Sequence, residues 1–220
     1  MKFFLLHCKK LSERLGVVEL ILRCSAVETL KIICTEPQNS VDHSFNKNIQ
    51  FRSNIDHIEG FPAVRPLRYS ELSIFLKHYE ALREISTYND DLCLILEDDA
   101  CFEPFNIDRL ICEIYAHDGM KHDLSNAIIF VGSGIHSSNV GTGIFRQTSR
   151  LKSRCADSYF VSPNAASIIC KHLETDGYAY PYDWELNRIF LDSALPVYWV
   201  EPPVVKQGSQ SGTFQSAIQL

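Results

Sequence analysis

The run Leu92-Cys93-Leu94-Ile95-Leu96 is apolar at every position and flows directly into Glu97-Asp98-Asp99. A strand with two apolar faces must be covered from both sides, as in a central parallel strand with helices above and below. That requirement selects a layered α/β architecture, and the flanking sequence agrees with it. Leu72, Phe75, Leu76, Tyr79, Leu82 and Ile85 recur at three- and four-residue spacing, which predicts a helix with one buried stripe and Ser70 as its N-cap. Upstream, residues 2–7 predict a strand, 11–24 a helix carrying Leu11, Leu15, Val18 and Leu22, and 30–34 a second strand. Downstream, Asn106 caps a helix bearing Ile107, Leu110, Ile111 and Ile114, followed by strands at 127–131 and 158–161. Ser162-Pro163 pairs an N-cap with proline at the first helical position, opening a helix over 163–174. A last helix after Tyr180-Pro181-Tyr182-Asp183 and a strand over 197–200 complete the alternation.

At 220 residues and 45% apolar content the chain buries a substantial core and is short for two full-sized domains, so one domain over 1–220 is expected. Residues 35–66 are polar and irregular, and 207–220 form a polar tail suited to a lid. The formal charge of −6 argues against a nucleic-acid partner, while a small phosphorylated ligand stays compatible if a cation supplies positive charge. The apolar run in Met1–Leu6 is too short for a signal core, and no stretch approaches the roughly 18 apolar residues of a membrane span. A cytoplasmic location is expected, with peripheral membrane contact open. The eight cysteines contain no Cys-x-x-Cys pair and read as reduced, mostly buried thiols.

The acidic triplet is the candidate site. In open parallel sheets, ligands bind beyond the carboxyl ends of the strands. Two carboxylates about 5 Å apart repel by about 3 kcal/mol at an effective dielectric of about 20, so the triplet needs an offsetting charge. A hard divalent cation, magnesium or manganese, supplies it and bridges to a diphosphate. Extended backbone would aim Glu97 and Asp99 to one side and Asp98 to the other. A solvated acidic turn is the alternative.

These blocks together resemble the family 25 glycosyltransferases, which include lipooligosaccharide galactosyltransferases. The resemblance rests on Glu71 to Leu82 with His78 and Ala81, on Leu94 to Asp99, on Tyr159-Phe160-Val161-Ser162 with Ala165, and on Pro181-Tyr182-Asp183-Trp184. Pro203 to Gln207 and Ser216-Ala217-Ile218 extend it from about residue 68 to the end. The chain departs from the family at Ser70, Ser73 and Lys77, and residues 35–66 match nothing in it. The resemblance implies a GT-A-like nucleotide-diphospho-sugar transferase fold, with a central mostly parallel sheet flanked by helices. It implies a divalent metal, Mn2+ or Mg2+, a UDP-hexose donor, and a carbohydrate or glycolipid acceptor. It makes Asp99 a metal ligand assisted by Glu97, and gives Glu97 a contact to the metal's water or the donor ribose. Asp98 would support the turn or contact the metal, and Lys206 and Gln207 would cover the diphosphate.

Inverting transfer needs a base for the acceptor hydroxyl, and the resemblance points to Asp183. Asp183 also reads as a plain helix N-cap. His78 reads as a satisfied core histidine, Tyr182 and Trp184 as packing aromatics or sugar platforms, and Gly132-Ser133-Gly134 and Gly141-Thr142-Gly143 as turns. Two other classes compete. A phosphotransfer receiver domain needs an aspartate at the end of a later strand, where this chain has Gly132-Ser133-Gly134. A catalytically inactive glycan- or nucleotide-binding protein on the same fold needs only the architecture.

Overall fold

The computed structural model describes residues 1–37, 44–46, 49–89, 92–134 and 141–214. In chain order these form β1 (Lys2–Leu6), α1 (Gly16–Leu22), β2 (Thr29–Ile33), β3 (Ser44–Asn46), β4 (Ile49–Gln50) and α2 (Tyr69–Ile85). There follow β5 (Cys93–Glu97), β6 (Ala100–Cys101), α3 (Pro104–Ala116), β7 (Ile128–Phe130), β8 (Gly143–Arg146) and β9 (Ser158–Val161). The chain continues with α4 (Pro163–Asp176), α5 (Tyr182–Asp192), β10 (Val197–Glu201), β11 (Lys206–Gln207) and α6 (Gly208–Ser211).

Seven strands make one sheet in the order β2-β1-β5-β9-β7-β10-β8. β1, β2 and β5 are mutually parallel, as are β7 and β10, whereas β9 runs antiparallel to both β5 and β7, and β8 antiparallel to β10. The expectation that β5 is flanked by parallel neighbours is therefore met on the β1 side alone. Double-sided burial, which the sequence does encode, is present in full. Phe4, Leu6, Cys93 and Ile95 pack with the stripe of α2 and with α4 and α5, while Phe3, Leu5, Leu94 and Leu96 pack with α1 and α3. The result is a helix–sheet–helix sandwich. Each fully buried Leu, Ile or Phe of these faces contributes roughly 1.5–3 kcal/mol.

Local differences have local causes. The N-cap of α2 is Arg68 rather than Ser70, because Glu71, at the third helical position, turns back to accept from the Arg68 backbone N–H at 2.8 Å. Pro104 starts α3 with Glu103 as N-cap, so Asn106 lies inside the helix. Ser162 caps α4 as expected, accepting from the Ala165 N–H. The helix expected over 11–24 divides into a 3-10 turn, Ser12–Leu15, and α1. All eight cysteines are free thiols, but only Cys24, Cys93 and Cys170 are buried. Among the described residues, no helix is long and apolar enough to cross a membrane. The Ser216-Ala217-Ile218 block lies outside the described residues.

The connections fix where a ligand can sit. From β1 the chain passes through α1 on one face to β2. It then returns through α2 on the other face, crossing β1 to reach β5. The winding reverses between β1 and β5, and in open sheets the crevice beyond the carboxyl ends at such a reversal is the ligand site.

Candidate functional site

A cleft of about 860 Å³ opens at that reversal, lined by Leu6 and Cys8 at the end of β1, Glu97 and Asp98 at the end of β5, Ser73, Lys77 and His78 of α2, and Tyr182, Asp183 and Trp184 of α5. Its volume falls in the range of small-molecule sites.

Alternation along β5 puts Glu97 on the same face as Cys93 and Ile95, toward α2. There its Oε1 lies 3.4 Å from His78 Nε2. Burial, with Asp99 and Asp157 nearby, pushes the Glu97 carboxyl well above the usual carboxylate range. Burial and the adjacent Lys77 hold His78 well below the usual imidazole range. Both shifts favour the neutral forms, so burial works against an ion pair at this contact. His78 Nδ1 lies 3.0 Å from the Tyr159 hydroxyl, which lies 2.8 Å from that of Tyr182, and Tyr182 stacks on the imidazole at 3.9 Å. His78 is the satisfied core histidine expected, with its second nitrogen turned to the acidic edge, and Tyr182, at the cleft wall, gives a ring face to that histidine.

The backbone turns after Glu97, so the extended-strand expectation for the next two acids does not hold. Asp98 swings toward the segment between β1 and α1, where Arg14 Nη1 of the 3-10 turn reaches Oδ1 at 2.8 Å, and His7 Nδ1 and the Cys8 N–H reach Oδ2 at 2.9 Å. Both oxygens are engaged, which gives Asp98 the turn-supporting role. Asp99 is buried under the C-terminal turn: its carbonyl accepts from Gly208 N–H at 2.7 Å and its Oδ2 from Ser209 N–H at 3.1 Å, while Oδ1 has no hydrogen-bond partner. A Cβ on Gly208 would stand 2.8 Å from the Asp99 carbonyl oxygen, so the close approach needs glycine.

Sequence reasoning missed Asp157. Leu96 pairs with Ser158 across the antiparallel β5–β9 ladder, and the Glu97 N–H donates to the Asp157 carbonyl at 2.9 Å, so the two acids oppose each other. Burial raises the Asp157 carboxyl from 3.8 to about 7, and its Oδ1 is also without a partner. Gly132 makes the room: a Cβ there would lie 2.3 Å from both Asp157 carboxylate oxygens. The turn glycine thus has a specific task. Cys155, on the cleft wall, is an inert thiol, pushed up to about 12 by burial and by Asp183, Asp157 and Glu97.

Asp183 is the second residue of α5, whose N-cap is Pro181, so the N-cap alternative is not what the structure shows. Burial raises its carboxyl above the usual range, partly offset by the N–H groups at the helix start. Glu71 adds to that rise, and the Asp183 charge in turn helps to raise Glu97. At the rim, burial would raise Glu71, but Arg65, forked onto it at 2.6 and 2.7 Å, holds it below the usual range. Lys10 and Arg68 line the same cleft.

β11 pairs with β6 beside the triplet, and strand alternation separates the two tail residues named above. Gln207 lines the cleft and its buried Oε1 has no partner. Lys206 lines a different cavity, of about 790 Å³, with Glu103, Arg109 and Pro203. It is therefore not placed to cover a ligand beside Glu97.

No protein-family model matches the chain, and no curated protein matches it. The reading rests on the residues themselves. Among the described residues no group of three His, Cys, Asp or Glu side chains is arranged to hold a metal ion. The chemistry of the edge nonetheless suits a hard cation, because Asp99 and Asp157 each present a buried, unpartnered carboxylate oxygen next to Glu97. Magnesium and manganese sites commonly use one or two carboxylates and complete their sphere with water and substrate phosphate.

Proposed function

We propose that this chain is a glycosyltransferase of GT-A-like fold that moves a hexose, galactose, from a UDP-sugar to a hydroxyl of a carbohydrate or glycolipid acceptor in lipooligosaccharide or surface-polysaccharide synthesis, with inversion. The observation that carries the reading is the cleft at the winding reversal, with an acidic edge on β5 and Asp183 opposite. Asp99 and Asp157, each with an unpartnered carboxylate oxygen, would hold a divalent cation, which would supply positive charge to the departing diphosphate. Lys10 and Arg68 at the rim add positive charge of their own, and Trp184 offers a ring face to a sugar.

Asp183 takes the proton of the acceptor hydroxyl as its oxygen bonds to the anomeric carbon. The bond from that carbon to the diphosphate breaks, and its electron pair leaves with UDP. Burial lifts the Asp183 carboxyl, which strengthens it as a base. The reading includes a cytoplasmic location, with contact at the inner membrane face through the acceptor.

The inactive binding protein draws support from the C-terminal turn that caps Asp99. Turnover separates the two. Purified protein with manganese, a glycolipid acceptor and a panel of UDP-hexoses should release UDP from UDP-galactose. Binding of UDP without release from any UDP-hexose would replace catalysis with ligand binding.

A further inference from the structure

Glu36 stands just beyond the carboxyl end of β2, beside the end of β1. Lys77 Nζ donates to its Oε1 at 2.7 Å and to Ser73 Oγ at 2.5 Å, and the Ser73 hydroxyl donates to Glu36 Oε2. Lys77 is 2% exposed, whereas the Glu36 side chain keeps 28% of its surface open, and all three line the cleft. The buried ammonium anchors the carboxylate while each oxygen retains a lone pair for a further donor. Together the two charges cancel, so the pair attracts neither phosphate nor metal. What it presents is a fixed acceptor for neutral hydroxyl groups.

The location suits one kind of hydroxyl. β1 separates β2 from β5, so Glu36 stands about 10 Å along the sheet edge from the acidic residues that would meet the diphosphate, a separation a ribose joined to that diphosphate can span. α2 links the two ends of the cleft, since Lys77 engages Glu36 and the next residue, His78, faces Glu97. We infer that Glu36, held by Lys77 and Ser73, accepts hydrogen bonds from the ribose 2′- and 3′-hydroxyls of the nucleotide, so that the cleft selects ribonucleotides over 2′-deoxyribonucleotides. The inference rests on the nucleotide-sugar reading and adds the part of the nucleotide this corner recognises.

Calorimetric titration of the unmodified chain with UDP and with 2′-deoxy-UDP, both with manganese, tests it without a variant. A missing hydroxyl at a charged acceptor weakens binding by about 10- to 100-fold, and that is the difference expected. Glu36→Gln should bring the two ligands to within about twofold of each other. Ser73→Ala, which keeps the ion pair, should narrow the gap. Equal binding of UDP and 2′-deoxy-UDP by the unmodified chain, or full discrimination surviving in a folded Glu36→Gln protein, overturns the ribose assignment alone. Failure of UDP to bind overturns the nucleotide-sugar reading and this inference together.

Discussion

If the proposed function holds, Asp183→Asn should sharply slow sugar transfer while leaving UDP binding unchanged. The substitution preserves the shape of the side chain at the second position of α5 and removes only its capacity to take a proton. General-base groups contribute about 10²- to 10⁴-fold, so the rate constant for UDP-galactose turnover should fall by that factor with little change in KM for the donor. Folding should not suffer. The carboxyl is already raised by burial, and a neutral amide escapes that cost. In the unmodified protein the base must be ionised, so activity should fall as pH drops through the raised Asp183 value. Turnover at wild-type rate in Asp183→Asn would show that another group takes the proton.

The second large effect is on stability. Asp157 has a folded-state value near 7 against an ordinary 3.8, so between about pH 4 and pH 7 the folded chain binds more protons than the unfolded chain. Under proton linkage, stability from this group is fully present below the unfolded value and is lost as pH rises through the folded one. The loss is on the order of 4 kcal/mol. Glu97, raised in the same direction, deepens the decline. Asp157→Asn cannot ionise. Thermal unfolding at pH 5 and pH 8 should therefore show a much smaller drop in Tm for Asp157→Asn than for the unmodified chain. Identical pH dependence of the two would mean that Asp157 does not carry the buried charge.

Much of this architecture is legible in the chain because local pattern and burial agree. The five apolar residues before Glu97 demand cover on both faces, and the structure provides it with α2, α4 and α5 on one side and α1 and α3 on the other. Ser162-Pro163 marks a helix start correctly because cap and proline act within one turn. Strand direction is another matter. Nothing in Ser158–Val161 signals that it runs against β5, yet that reversal brings Asp157 from the start of one strand to the end of the other. An acid immediately before a buried strand becomes a site candidate only once the strand is allowed to be antiparallel.

The fate of Asp98 was equally invisible, since Arg14 and His7 lie 84 and 91 residues away in sequence. Arg68 at the cap of α2 could have been read from Glu71, because an acid at the third helical position reaches the backbone N–H before the first. Separation of Lys206 from Gln207 follows from strand alternation, and the pairing with β6 that makes it apply joins residues about a hundred positions apart. Local rules thus found the edge of the site, and long-range pairing decided which side chains reach it.

The most direct test of a nucleotide-sugar site is a calorimetric titration of UDP into the purified chain with and without manganese, repeated for Asp99→Asn. The account predicts manganese-dependent binding that is lost in the variant, because Asp99 brings a buried, unpartnered carboxylate oxygen to the edge. UDP binding of equal strength without manganese, or no UDP binding in either condition, would contradict it.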